Sequence, residues 1–150
     1  QQVNPANSII IRTSWVYSVF GNNFVETMLR LAKDREEISV VVDQIGSPTH
    51  AADLAQSIIE ILPLIQNEMT EVYHFSNEGV CSWYDFSKAV FEIKNIKINL
   101  LPLESVDYKT KAIRPYYSVL NKSKIKQKYN LTIPYWRSSL KKYLNNSNLN

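Results

Sequence analysis

The sequence predicts an α/β fold with parallel strand pairing, and three observations carry that prediction. Short β-branched runs alternate with stretches of helical periodicity along most of the chain. Ser8–Arg12 and Ile38–Val42 are nearly continuous apolar runs, as in strands covered on both faces. The 150 residues are 45% hydrophobic and 21% charged, the balance of a single globular unit with a sizeable core.

Ser8-Ile9-Ile10-Ile11-Arg12 reads as a strand buried on both faces. Asn22 or Asn23 can then cap a helix whose apolar residues Phe24, Met28, Leu31 and Ala32 fall at helical spacing. Ile38–Val42 is the second strand, and residues 43–48 form a turn. Thr49 is expected to cap the next helix, with Asp53 favourable in its first turn. Leu54, Ile58, Ile61, Leu62 and Ile65 make the core stripe of that helix. Val72–Phe75 is the third strand. Ser82 and Asp85 resemble a capping box at the start of a helix burying Phe86, Ala89, Val90 and Ile93. Ile98–Leu101 and Tyr117–Leu120 read as further strands, the second short or irregular. Two helices near Lys122–Tyr129 and Tyr135–Leu144 close the chain, and Asn145–Asn150 is expected as a frayed tail.

Composition excludes several classes of function. The three glycines, Gly21, Gly46 and Gly79, are far apart, so no glycine-rich phosphate loop of the dinucleotide or P-loop type is present. One cysteine, Cys81, excludes an internal disulfide and a Cys-only zinc site. No apolar run approaches 18 residues, which predicts a soluble chain without a membrane span, and a cytoplasmic location is expected. Gln1 stands where an initiator would be and the first methionine is Met28, so a piece of a longer protein is expected. A doubly wound domain carries its phosphate-binding turn in its first βα unit; without that turn, these residues read as the second half of such a protein.

Charge is unevenly placed. Residues 1–80 hold 4 basic against 10 acidic side chains, and residues 81–150 hold 13 against 4. The basic half suits a phosphate-bearing ligand, a nucleic acid or an acidic surface, and equally a solvated lysine face. Lys122, Lys124, Lys126 and Lys128 alternate around a helix rather than forming a stripe, and no recognition motif accompanies them, so nucleic acid is not expected as a partner.

Tyr84-x-x-x-Lys88 has the spacing of the proton-donating pair of short-chain dehydrogenases. Its place in the first turn of a helix behind a Ser cap favours a structural role. His50 and His74 have no ligand-like neighbours, so no metal is expected, and Cys81 reads as an inert thiol. Arg12-Thr13-Ser14-Trp15-Val16-Tyr17 stands out because it follows a strand and so lies at the carboxyl end of the sheet, where open α/β folds place ligands. Gly21-Asn22-Asn23-Phe24 offers backbone N–H groups and side-chain amides at a helix start, either a phosphate seat or an ordinary cap.

Taken as an ordered set, these segments resemble the dTDP-4-dehydrorhamnose reductase family of extended short-chain dehydrogenases. The likeness rests on Arg12–Tyr17, Gly21–Phe24, Asp43-Gln44-Ile45-Gly46-Ser47-Pro48-Thr49, Asp53-Leu54-Ala55, Tyr73–Gly79 and Arg114-Pro115-Tyr116-Tyr117-Ser118-Val119-Leu120. It runs from about Ile9 to Leu144. Asn121 stands where the family's pattern has Asp, and Ser18-Val19-Phe20 replaces a shorter loop. The resemblance implies the C-terminal half of a Rossmann-like, NAD(P)-binding fold with its substrate-binding subdomain. It implies NADPH-dependent reduction of dTDP-4-keto-L-rhamnose to dTDP-L-rhamnose, a precursor of bacterial surface polysaccharide such as O-antigen. The family's cofactor loop and its catalytic Thr/Ser, Tyr and Lys precede the segment resembling Arg12–Tyr17. The chain alone is therefore expected to be inactive and to bind NADPH poorly.

Residue by residue, the resemblance implies that Ser14 and Trp15 border the nicotinamide and the sugar ring. Asn22, Asn23 and Phe24 would lie near the diphosphate, and Gln44 and Thr49 would line the nucleotide-sugar pocket. Arg114 would pair with the diphosphate, a role its guanidinium fork suits. Of the other arginines, Arg30 and Arg35 sit in or just after a helix, Arg137 lies in the last helix, and Arg12 ends a strand. A rival within the same superfamily is a non-catalytic binding subunit resembling the regulatory subunit of methionine adenosyltransferase. A homodimer is compatible with either.

Overall fold

A computed structural model describes residues 5–108 and 112–146. Strands and helices alternate, and among the described residues three of the four strand pairs are parallel. β1 (Ile9–Thr13) runs beside β6 (Glu71–Phe75) with Ile11 opposite Tyr73. β2 (Val16–Tyr17) runs beside β5 (Thr49–His50), and β3 (Glu37–Val41) beside β8 (Asn99–Leu103). The antiparallel pair is β4 (Ile45–Gly46) with β7 (Cys81–Ser82). Parallel pairs need long crossovers, and these contain α1 (Phe24–Asp34), α2 (Ala51–Ile61) and α3 (Trp83–Ile93). α4 (Ser123–Tyr129) and α5 (Trp136–Asn146) follow.

The helix starts follow their local chemistry. Asn23 Oδ1 accepts from the Glu26 N–H at the head of α1, at 3.2 Å. At α3 the Ser82 hydroxyl accepts from the Asp85 N–H while the Asp85 carboxylate accepts from the Ser82 N–H, a full capping box. Asn121 Oδ1 accepts from the Ser123 N–H at 2.9 Å, so Asn does the work of Asp there. α4 ends on Asn130 in the left-handed region, its N–H donating to Lys126 O.

α1, α3, α5 and β3 close around one core that includes Val25, Met28, Ile38, Phe86, Val90 and Leu140. A second cluster, Ile61, Tyr73, Ile125, Tyr129 and Leu131, joins α2, β6 and α4.

Several expectations are corrected. Among the described residues β1 pairs with β6 alone, and with Ile10 51% exposed the strand is not covered on both faces. Residues 43–48 contain β4 rather than a plain turn. Thr49 does not cap α2: it lies in β5, and the cap position falls to His50, whose side chain makes no capping bond. Of the expected α2 stripe, Ile61 is fully buried, whereas Ile58 and Leu62 face solvent. Pro63 stops the helix, since it has no N–H to donate, and Leu62–Leu64 continues as a 3-10 segment. Tyr117–Leu120 forms no strand, only a single bridge from Tyr117 to Ile45. Asn145 and Asn146 complete α5, and the remainder of the expected tail lies outside the described residues.

Candidate functional site

β1 ends at Thr13 and the chain turns sharply at Ser14-Trp15. Trp15 has φ +49°, in the left-handed region that a bulky side chain occupies only where its surroundings fix it. The Thr49 N–H donates to Trp15 O at 3.0 Å. The Trp83 indole stacks on that of Trp15, with centroids 3.5 Å apart and planes inclined by 8°. Gly46 lies so close to the Trp15 ring that an added Cβ would sit 2.5 Å from it. The β4–β7 pairing, with Gly46 opposite Cys81, brings the start of α3 and thus Trp83 to this spot.

Trp83 also lines a cleft of about 700 Å³ between α1, β3 and the residues Leu103, Tyr108 and Arg114. Its apolar wall includes Phe24, Met28, Leu31 and Trp83, and its polar groups include Gln44, Arg35 and Arg114. Phe24 leans on Trp83 at 4.5 Å between ring centroids. The Gln44 amide donates to Ser105 Oγ at 2.8 Å. Asp43 accepts from both the hydroxyl and the N–H of Ser105, and the hydroxyl bond holds its carboxyl below the usual carboxylate range. Ile45 N–H donates to Tyr116 O and Ser118 N–H to Ile45 O, pinning the segment that carries Arg114. Glu37, also on the wall, accepts from the Asn99 amide. Among the described residues neither Arg35 nor Arg114 has an ion-pair partner. Aromatic walls beside two free guanidinium groups suit a ligand that is planar or apolar in one part and anionic in another.

The structure gathers three of the sequence-predicted residues, Phe24, Gln44 and Arg114, on this cleft. Trp15 stands behind it, against Trp83. The Ser14 hydroxyl donates to Ser47 O at 3.3 Å. Asn22 borders a separate hollow with Val19 and Arg30. Asn23 donates from its amide nitrogen to Ser18 O while its Oδ1 caps α1. Thr49 is fully buried and accepts from the Thr13 hydroxyl at 3.2 Å, away from the cleft. Arg35, which the sequence placed merely after a helix, faces the cleft, and Arg12 is exposed at the end of β1.

Trp83 was missed by sequence reasoning. It sits three residues before Phe86 and seven before Val90, so periodicity reads it as more of the same core stripe. Tyr84 donates to Leu100 O at 3.4 Å and Lys88 is exposed. Cys81 is buried, and burial pushes its thiol up to about 12.

Behind the Trp15 turn lies a polar node centred on Asn77, which is fully buried. Its Oδ1 accepts from the His50 N–H at 2.7 Å, and its amide donates to Asp53 at 2.7 Å and to Ser139 Oγ at 3.1 Å. Ser139 also donates to Asp53, at 2.5 Å. Burial opposes ionisation of Asp53, but the His50 imidazole, the Ser139 hydroxyl and the Asn77 amide outweigh it and hold the carboxyl down at about 2. Lys122 donates to Asn77 O at 3.0 Å and pairs with Glu78, while Lys124 pairs with Glu71 and Lys126 with Glu78. The basic face thus meets acidic residues of the same chain.

A model of the RmlD substrate binding domain matches residues 2–149. The chain belongs to the RmlD substrate binding domain family. It is 44% identical to the spore coat polysaccharide biosynthesis protein SpsK of Bacillus subtilis strain 168 over 95% of this chain and 49% of that protein. It is 40% identical to the dTDP-4-dehydrorhamnose reductase of Escherichia coli K12, over 93% of this chain and 50% of that protein. A crystal structure of dTDP-4-dehydrorhamnose reductase from Bacillus anthracis in complex with NADP superposes with a TM-score of 0.86 at 42% identity, covering 93% of this chain and 48% of that one. The RmlD-type chain thus spans about half the length of the curated relatives it matches. Among the described residues no helix is long and apolar enough to cross a membrane.

Proposed function

We propose that this chain is the nucleotide-sugar-binding half of an NADPH-dependent dTDP-4-dehydrorhamnose reductase, which reduces dTDP-4-keto-L-rhamnose to dTDP-L-rhamnose in the cytoplasm. The observation that carries this reading is the cleft of about 700 Å³, where Phe24, Gln44 and Arg114 meet in a chain of the RmlD substrate binding domain family. Arg114 takes the diphosphate, because a guanidinium fork matches two phosphate oxygens and its own charge is otherwise unpaired. Gln44 offers an amide to the nucleotide, fixed in orientation by Ser105. Phe24 supplies an apolar wall. Asn23 acts through the loop it ties, and Asn22 borders the separate hollow with Val19 and Arg30. Ser14, Trp15 and Thr49 shape the turn at the end of β1, which borders the sugar ring and the nicotinamide.

These residues do not form a dinucleotide site by themselves. No two glycines stand close enough for a phosphate turn, the Ser14 hydroxyl is engaged, and Trp83 covers the Trp15 indole. NADPH therefore binds principally to the other half of the reductase, and the chain's part is to bind and orient the nucleotide sugar.

Arg114→Ala in the full-length protein is the test. A hydrogen bond to a charged partner contributes roughly 1.5–3 kcal/mol, so nucleotide-sugar affinity should fall about 10- to 150-fold. Lysine should restore only part of it, and NADPH affinity should hardly change. Unchanged nucleotide-sugar affinity, or an equal loss for NADPH, rejects this placement.

A further inference from the structure

Resting on the nucleotide-sugar reading, we infer that Trp83 is a sugar-contacting residue that selects the hexose end of the ligand. Three observations point there. Trp83 belongs to two places at once: it lines the cleft and it stacks on Trp15 at 3.5 Å. Trp15 stands two residues after β1, beyond the carboxyl end of a parallel strand, where the reacting part of a ligand lies in open α/β folds. A residue stacked on Trp15 and lining the same cleft as Gln44 and Arg114 is therefore where the ligand passes from diphosphate to sugar.

The second observation is the way Trp83 is held. Ser82 caps α3 and Asp85 closes the capping box, so Trp83 occupies the first helical position with its backbone fixed. Phe24 supports its ring at 4.5 Å and Phe86 at 6.5 Å. Trp15 takes one face of the indole, and the partly exposed remainder of this rigid ring is the apolar surface offered to the C–H face of a hexose at little entropic cost.

The third is charge. Arg35 and Arg114 line the cleft together with Trp83, whereas Trp15 does not line it. An anionic diphosphate is drawn to the arginines, which leaves the uncharged sugar to the tryptophan pair.

The test compares dTDP with dTDP-L-rhamnose, which differ by the hexose, by titrating each against the full-length reductase. Trp83→Leu, which keeps apolar bulk without a stacking plane, should weaken dTDP-L-rhamnose about 10- to 100-fold. It should leave dTDP and NADPH within about threefold, an affinity difference below that of one ordinary hydrogen bond. Trp83→Phe should recover most of the sugar increment. Retained dTDP affinity, which depends on Gln44 and Arg114 of this half, shows that the variants are folded. Equal losses for dTDP and dTDP-L-rhamnose, or no loss for either, overturn the assignment of Trp83 while leaving the nucleotide-sugar reading intact. If the wild-type protein binds neither dTDP compound, the nucleotide-sugar reading fails and the role of Trp83 with it.

Discussion

The side-chain amide of Asn77 donates to the Asp53 carboxylate at 2.7 Å, joining the end of β6 to the first turn of α2. The same Asn77 accepts from the His50 backbone and receives Lys122 on its carbonyl, so one buried side chain and its peptide tie β5, β6, α2 and α5 to the segment before α4. Asn77→Ala would leave the His50 N–H without its acceptor and strip a donor from a buried carboxylate. A loss of about 2–4 kcal/mol in unfolding free energy is expected, the range for breaking a buried polar network, and chemical denaturation measures it. A change below about 0.5 kcal/mol, typical of a surface site, would show that the node is not structural.

Acid should act through the same carboxylate. Asp53 titrates near 2 in the folded chain, well below its ordinary 3.8. Because the folded value is depressed, its contribution to stability is full above about pH 4 and disappears as the pH falls towards 2. That contribution is on the order of 2 kcal/mol. Asp53→Asn should therefore show a shallower decline in stability than the wild type between pH 4 and pH 2. Parallel curves for the two proteins would remove Asp53 from the acid-sensitive set.

Gly46→Ala should disturb the tryptophan pair. The new methyl would fall 2.5 Å from the Trp15 ring, less than any van der Waals contact allows, so the indole must move off its seat. Overpacking of this kind costs about 1–3 kcal/mol. Circular dichroism reports it directly, since two indoles stacked at 3.5 Å couple their transitions and that couplet should weaken or vanish. A couplet of wild-type amplitude would mean that the backbone yields instead of the ring.

If the full-length protein is the reductase proposed above, Tyr84→Phe should leave its turnover within a few-fold of the wild type. The hydroxyl makes one long bond, 3.4 Å to Leu100 O, and the change removes nothing else. Loss of a general acid costs about 10²–10⁴-fold. A fall of that size in a folded variant would put Tyr84 among the reacting groups.

The helices were legible because their signals are local. Asn23 and the Ser82/Asp85 pair announce α1 and α3 from within four residues, and periodicity does the rest. The two-residue strands were not legible, because β2 exists only against β5 and β4 only against β7, partners more than thirty residues away. Thr49 shows the conflict plainly: Thr favours a cap, yet its pairing with Val16 places it in a strand. On the cleft, Arg114 could be singled out by its Arg-Pro context, whereas Arg35 reaches the same space only through the course of α1 into β3. The α2 stripe misled because periodicity identifies an apolar face without saying what covers it.

The spacing of the parallel pairs also sets the order in which the chain can fold. Ser8 bonds to Thr70 at the foot of β1 and β6, and Asn99 to Glu37 at the foot of β3 and β8, each across 62 residues. Loop closure over such spans must precede any return from ladder bonds or core contacts, so strand pairing should lag well behind the helices, which relax in microseconds or less. In the interval the edges of β1 and β3 stand open to other copies. Refolding yield should therefore rise on dilution, because the wrong partner is then scarcer than the strand 62 residues away on the same chain.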